Sequence, residues 1–191
     1  MRNLSLLRTS LVWMLVAAPC IHSLHAQGAH SAEIGGSFGW SNITGLDNNH
    51  HPAFGATGGF NVINNLQLFG EYLYSPQGSL DGVSAKGQWF GGGARLHFGS
   101  SELVRPFVVV AGGHFSSSFD VGGAGIGLGA GYFGLGGGVS IYVHKHLVIR
   151  PEARFERLQY GSYNVGGDES VNPSGNTVLF TVSALYQFGG R

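Results

Sequence analysis

The stretch Leu147-Val148-Ile149-Arg150-Pro151-Glu152-Ala153-Arg154-Phe155-Glu156-Arg157-Leu158 alternates with a period of two residues. Ile149, Pro151, Ala153 and Phe155 fall on one side, and Arg150, Glu152, Arg154 and Glu156 on the other. That period belongs to a β-strand, whose successive side chains point to opposite faces. One face is purely apolar and the other carries alternating charge. A soluble barrel buries the apolar face and shows charge to water. A barrel in lipid does the reverse, because charge against acyl chains is costly.

The rest of the chain chooses between these solutions. At the C-terminal end Val178, Phe180, Val182, Ala184, Tyr186 and Phe188 share a face. Thr177, Thr181, Ser183 and Gln187 share the other, with Leu179 and Leu185 among them. Near the middle, Leu66, Leu68, Gly70, Tyr72 and Tyr74 alternate with Gln67, Phe69, Glu71 and Leu73. The charged outer face that solubility requires is missing.

Period-two segments place strands at about 32–41, 52–62, 66–76, 87–98, 105–115, 129–143, 147–158 and 176–188. Their connections alternate in length. Residues 63–65, 99–104 and 144–146 are short, while 42–51, 77–86, 116–128 and 159–175 are long. Short turns at one end and longer loops at the other form the layout of a membrane barrel. The expected fold is therefore all-β: an eight-stranded antiparallel up-and-down transmembrane β-barrel.

Aromatic residues gather near strand ends. Trp40, Phe54, Tyr74, Phe90, Phe115, Phe133 and Phe155 lie toward the loops; Phe60, Phe98, Phe107, Tyr142, Tyr186 and Phe188 lie toward the turns. Two such girdles are expected at the two membrane interfaces. The 34 glycines far exceed the usual ~7%. Gly134, Gly136 and Gly138 share the face of Ser140 and are expected to point into a narrow barrel, leaving room for larger residues opposite. The GxG units between Gly122 and Gly138 lack the strand–turn–helix setting of a nucleotide loop.

The first 26 residues read differently. Arg2 and Arg8 are basic, Leu11 to Ala18 is apolar, and Ala26 offers a small residue before Gln27. That order is a secretory signal, with an apolar run shorter than the ~20 residues of a spanning helix. The expected organisation is a cleaved signal over 1–26 and a barrel domain over 27–191. Cleavage removes Cys20, the single cysteine, so no disulfide or thiolate site is expected. It also removes two arginines, leaving eight basic residues against ten acidic. That balance offers no footprint for nucleic acid.

Taken together, Leu68-Phe69-Gly70-Glu71-Tyr72, Arg150-Pro151-Glu152-Ala153-Arg154-Phe155 and the closing strand resemble the outer-membrane protein β-barrel family, with its OmpA-like and opacity-like domains. The resemblance covers about residues 30–188. It implies a bacterial outer-membrane location and contact with outer-membrane lipid and lipopolysaccharide. It also implies a C-terminal signal read by the barrel-assembly machinery, for which Thr181, Tyr186 and Phe188 fit. Ser183 stands where glycine is usual, and Gly189-Gly190-Arg191 runs past the final aromatic.

Chemistry is sparse. His114-Phe115-Ser116 resembles the His-x-Ser of outer-membrane lipid A deacylases, making His114 and Ser116 weak catalytic candidates. An activated serine needs a base and a third group to orient it, and no carboxylate follows at short distance. His50-His51 and His144-Lys145-His146 are incomplete metal sites. The inward charges Glu71, Arg95, Arg150, Glu152, Arg154 and Glu156, together with His97, are expected to form an interior network that blocks ion flow. Arg95 is expected to face Glu71 across neighbouring strands. The reading is thus a small, non-enzymatic, monomeric barrel with a structural or surface-interaction role, with no cofactor, no metal and no wide pore. Its alternatives are a lipid A-modifying enzyme using His114 and Ser116, and an adhesin or receptor acting through external loops such as 159–175.

Overall fold

The structure, a computed structural model, describes residues 30–43, 51–80, 83–99, 101–121, 124–161, 163–165, 169–171 and 174–189. Its strands are β1 (Ala32–Ile43), β2 (His51–Ile63), β3 (Leu66–Leu80), β4 (Val83–His97), β5 (Val104–Val121), β6 (Ala124–His144), β7 (Leu147–Tyr160), β8 (Tyr163–Val165), β9 (Glu169–Val171) and β10 (Ser174–Phe188). Eight of them, β1 to β7 and β10, close into an antiparallel barrel in which each strand pairs with its sequence neighbours and β10 pairs with β1. The expected signal segment, 1–26, lies outside the described residues.

The barrel's stagger can be followed residue by residue. Ala32, Phe60, Leu68, Ala94, Val110, Leu135, Phe155, Val178 and Asn42 are successive register partners round the sheet. The circuit returns to β1 ten residues beyond its start, at Asn42 rather than Ala32. Such a stagger tilts the strands and sets the interior width, leaving room for side chains.

Alternation is as expected on β3, β7 and β10: the inward faces carry charge on β3 and β7 and Thr, Ser, Gln and Leu on β10, and apolar side chains face outward. Phe90, Phe133 and Phe155 are exposed near the loop end, and Phe60, Tyr186 and Phe188 near the turn end. Three of the aromatics expected in the girdles are instead buried in the lumen: Phe107, Phe115 and Tyr142. On β5 both faces are apolar around Val108, Val109 and Val110, so the pattern there does not announce which side is inside; Arg105, buried with Phe107 and Phe115 on one face, does.

A second difference lies at the loop end. Residues 77–86 and 116–128, expected as long loops, are largely strand. β4 and β5 pair up to Val83 and Val121, and β5 and β6 up to Val121 and Ala124. By contrast β2–β3 pairing ends at Phe54 and Tyr74, and β6–β7 pairing at Ala130 and Tyr160. The four strands β3 to β6 therefore rise above the barrel as an extension of the sheet. Its Ser- and Gly-rich sequence reads as loop because no apolar face marks it. In the 159–175 segment, β8 and β9 form a small hairpin.

Inward glycines make the curvature possible. A Cβ on Gly55 would overlap the Tyr72 carbonyl of the next strand. On β6, Gly134, Gly136 and Gly138 stand opposite Glu156, Arg154 and Glu152 of β7. A Cβ on Gly136 would overlap the Ala153 carbonyl and stand 2.8 Å from Arg154 Cγ. The missing side chains are thus the space that the charged ones occupy.

Candidate functional site

The lumen is filled in two zones. Toward the loop end Leu73, Trp89, Phe115, Leu158 and Leu179 form an apolar plug, with the Trp89 and Phe115 ring centroids 4.6 Å apart. Toward the turn end charged and polar side chains fill the lumen around the buried Phe107, Tyr142, Val148 and Leu185, and β7 is the spine of the charged set. Because residues i, i+2 and i+4 share a face, Arg150, Glu152, Arg154 and Glu156 all point inward in a column of alternating sign.

Three of the four pair with other strands. Arg150 Nη2 lies 2.7 Å from Glu33 Oε2 of β1. Arg95 Nε of β4 lies 2.7 Å from Glu152 Oε2. Arg154 Nη2 lies 2.6 Å from Glu71 Oε1 of β3, and its Nε is 3.4 Å from both Glu152 Oε1 and Glu156 Oε1. All of these side chains are buried. An isolated charge in such a place would be prohibitive, so ions survive there only as pairs with further hydrogen bonds.

Those further bonds are present around Glu33, Arg95 and Arg150. Gln67 donates from Nε2 to Glu33 at 2.9 Å and accepts from Arg95 Nη1 at 3.2 Å, joining two ion pairs. Arg150 Nε donates to Ser140 Oγ at 2.9 Å, and His97 Nε2 lies 3.2 Å from the same hydroxyl. The Arg95 guanidinium also stacks 3.6 Å from the Phe69 ring centroid, a contact favoured by the ring's quadrupole. Nearest the turns, Arg105 Nη2 donates to the Asn64 carbonyl at 3.1 Å and to Asn65 Oδ1 at 3.3 Å.

All seven residues expected in the interior network face the lumen, but the partners differ from expectation. Arg95 does not face Glu71; its register neighbour on β3 is Gln67, and its carboxylate is Glu152. Three contributors were not singled out as charges or bridges: Glu33, Arg105 and Gln67. Strand parity could have found the first two, since Glu33 shares a face with Ser37 and Ser41, and Arg105 with Phe107.

The other candidates lie elsewhere. His114 and Ser116 sit on the outer face of β5. Their sheet neighbours are Phe90 and Gln88 on β4, and Gly131 and Gly129 on β6. No carboxylate among these could orient a histidine, and Glu152 points into the lumen. The Asp120 side chain and His50 lie outside the described residues. His144 and His146 have ring centroids 6.2 Å apart, with His146 stacked on Tyr186. Among the described residues no group of three or more His, Cys, Asp and Glu side chains could hold a metal. Thr181 faces the lumen, Tyr186 and Phe188 face outward, and Ser183 Oγ lies 2.8 Å from Ser37 Oγ across the β1–β10 seam.

Residues 10–188 match the outer membrane protein beta-barrel domain. No curated protein matches the chain. Among solved structures, Neisserial surface protein A is similar with a TM-score of 0.60 and 15% identity, covering 85% of this chain and 98% of that one. The N-terminal β-barrel domain of Pseudomonas aeruginosa OprF is similar at 0.56 and 16%, covering 85% and 100%. Ail, the attachment invasion locus protein of Yersinia pestis, is similar at 0.55 and 16%, covering 85% and 99%. At these identities the likeness is one of fold.

Proposed function

The chain belongs to the outer membrane protein β-barrel family, and on that premise we propose a small bacterial outer-membrane protein with a self-sealed lumen and a non-catalytic role at the cell surface. The observation that carries the sealed lumen is the set of three short ion pairs that cross it, stacked beneath the apolar plug of Trp89, Phe115 and Leu158. Eight strands enclose little more than these side chains, so ions have no continuous wet path.

The surface role is supported by the extension of β3 to β6. Sheet edges are templates for pairing, and natural edges are blunted by proline, charge or bulges. Beyond Tyr74 the β3 edge carries Pro76 and a register shift between Pro76 and Ser79. Beyond Ala130 the β6 edge reads Ala124-Gly125-Ile126-Gly127-Leu128-Gly129, with neither proline nor charge. Among the described residues no strand continues the sheet there. An outward His114 and Ser116 without a neighbouring carboxylate support the non-enzymatic reading. A cleaved signal over 1–26 completes it, delivering the barrel as a monomer to the assembly machinery through Thr181, Tyr186 and Phe188.

Planar-bilayer recording tests the sealed lumen. The parent protein should give no stable conductance, whereas Glu71→Ala combined with Arg154→Ala should give small, flickering steps. Steady large conductance from the parent would overturn the reading. Lipid A incubated with the parent and analysed by mass spectrometry should stay unmodified; loss of an acyl chain that depends on His114 and Ser116 would restore the enzyme.

A further inference from the structure

We propose that the β8–β9 hairpin is a strap for the open edge of β6. It docks along Ala124–Gly129 and offers that edge to a partner strand only when it swings away, a regulation that rests on the surface role proposed above. The two sides of the extension are unequal. Its β3 side is blunted by Pro76 and the register shift that follows. Its β6 side carries neither proline nor charge, and natural sheets cover an edge of that kind with a loop or another element. The hairpin has the complementary need. Tyr163 pairs with Val171, Asn164 with Ser170 and Val165 with Glu169. Two strands alone are marginal in water without a third strand or a surface to pack on.

The registers bring edge and hairpin together. β7 runs beside β6 as far as Tyr160 opposite Ala130, with Gln159 opposite Gly131. The next steps of the same ladder place Gly161 opposite Gly129, Tyr163 opposite Gly127 and Val165 opposite Gly125. β8, Tyr163–Val165, is thus already extended over the residues that would meet the vacant edge. β9 is carried with it. Ser174 pairs with Gln159 in the β7–β10 ladder, and continuing that ladder puts Val171 opposite Ser162. The hairpin has Val171 opposite Tyr163, one residue out of step. A one-residue step between two ladders bends and twists a strand pair as a β-bulge does. The hairpin can therefore depart from the line of β7 without breaking either ladder.

The glycines of the edge fit this occupant. Gly127 and Gly129 are exposed on the outer face of β6. The His114 ring leans over Gly129, 3.1 Å from where a Cβ there would stand, whereas a Cβ on Gly127 would meet nothing within 4 Å. Arg157, Gln159 and Gly161 are exposed, and the same alternation carries Tyr163 in the docked hairpin onto that face, over Gly127. An aromatic laid across a cross-strand glycine shields bare backbone and pins the register. The tether supplies the rest. Joined to β7 through Gly161 and Ser162, the hairpin stands at high effective concentration beside the edge, so few hydrogen bonds hold it and a longer partner strand can replace it. A second barrel does not fit the edge. Two barrels side by side in one membrane present facing strands tilted in opposite senses by roughly 35–45° each, too steeply crossed to pair.

The test is residue-resolved hydrogen exchange on the folded barrel in phosphatidylcholine nanodiscs. Amides of residues 124–129 that do not bond to β5 should exchange roughly tenfold faster once residues 161–173 are replaced by a glycine–serine link. Those bonded to β5, and those along the β3 edge, should keep the parent's rates. Trapping is the second measurement. Cys20, the single cysteine, lies in the expected signal segment, so paired cysteines report contact. Gly125→Cys with Val165→Cys should form a disulfide under mild oxidant, because directly opposed strand residues have the required Cα spacing. Pro76→Cys with Val165→Cys should not. Gly127→Cys with Ser118→Cys, neighbours in the β5–β6 ladder, should link in every preparation. Unchanged exchange in the variant with the glycine–serine link, or equal trapping at the two edges, would overturn the strap. A heat-modifiable gel band checks that each variant is folded. Neither readout needs a partner, so an edge that captured no foreign strand would count against the surface role alone.

Discussion

Arg154 reaches from β7 to Glu71 on β3, 2.6 Å from Nη2 to Oε1, although these strands are not neighbours in the barrel. The pair is buried on both sides, and Tyr132 donates to the same Glu71 oxygen at 3.4 Å. Removing one partner leaves the other charged and dry, which typically costs ~3–5 kcal/mol. Glu71→Ala and Arg154→Ala should each lower the urea midpoint of the refolded barrel clearly. Parent-like midpoints for both would mean that the charges are solvated.

Glycine substitutions should divide by face. A Cβ on Gly136 meets backbone, whereas one on Gly127 meets nothing within 4 Å. Gly136→Ala should destabilise by ~1–3 kcal/mol or prevent folding, and Gly127→Ala should stay within ~0.5 kcal/mol of the parent. Equal midpoints in denaturant would contradict the inward placement of Gly136.

A closed barrel has no frayed edge within the membrane, and its backbone groups are all paired. The unboiled protein should therefore migrate differently from the boiled one in detergent gels. Identical migration, with β-rich circular dichroism, would argue for an open sheet.

The connection between β7 and β10 should be dispensable for folding, since loops carry few buried backbone groups. Replacing residues 161–173 with a short glycine–serine link should preserve the folded gel band. Its disappearance would place part of the folding information in that connection.

Residues 1–26 should be absent from protein recovered from the outer membrane, because the apolar run from Leu11 to Ala18 is followed by a small residue before Gln27. Intact-mass measurement checks this; a mass that includes Met1 would refute it.

Alternation alone located the strands and faces of β3, β7 and β10, because there polar or charged residues on one face alternate with apolar ones on the other. It could not name the ion-pair partners. Arg95 meets Glu152 across the lumen rather than a neighbour in the sheet, and strand pattern records neighbours only. It misread the upper parts of β3 to β6, where Ser116, Ser118 and Gly127 give strand and loop the same composition. It also left Phe107, Phe115 and Tyr142 on the wrong side, because aromatics suit a lipid belt and a packed lumen equally well.

The ion pairs that cross the lumen also bear on how the molecule is assembled. Arg95 and Glu152 are 57 residues apart in the chain, and Glu33 and Arg150 are 117 apart. Neither pair joins strands that are neighbours in the sheet. An incomplete, unrolled sheet would therefore leave Glu33, Glu71, Arg95 and Arg150 without these partners, whatever the progress of its hydrogen-bond ladders. Neutralisation would arrive only as the sheet curls and β10 meets β1, making closure a single cooperative event and half-closed intermediates poorly tolerated by the bilayer interior.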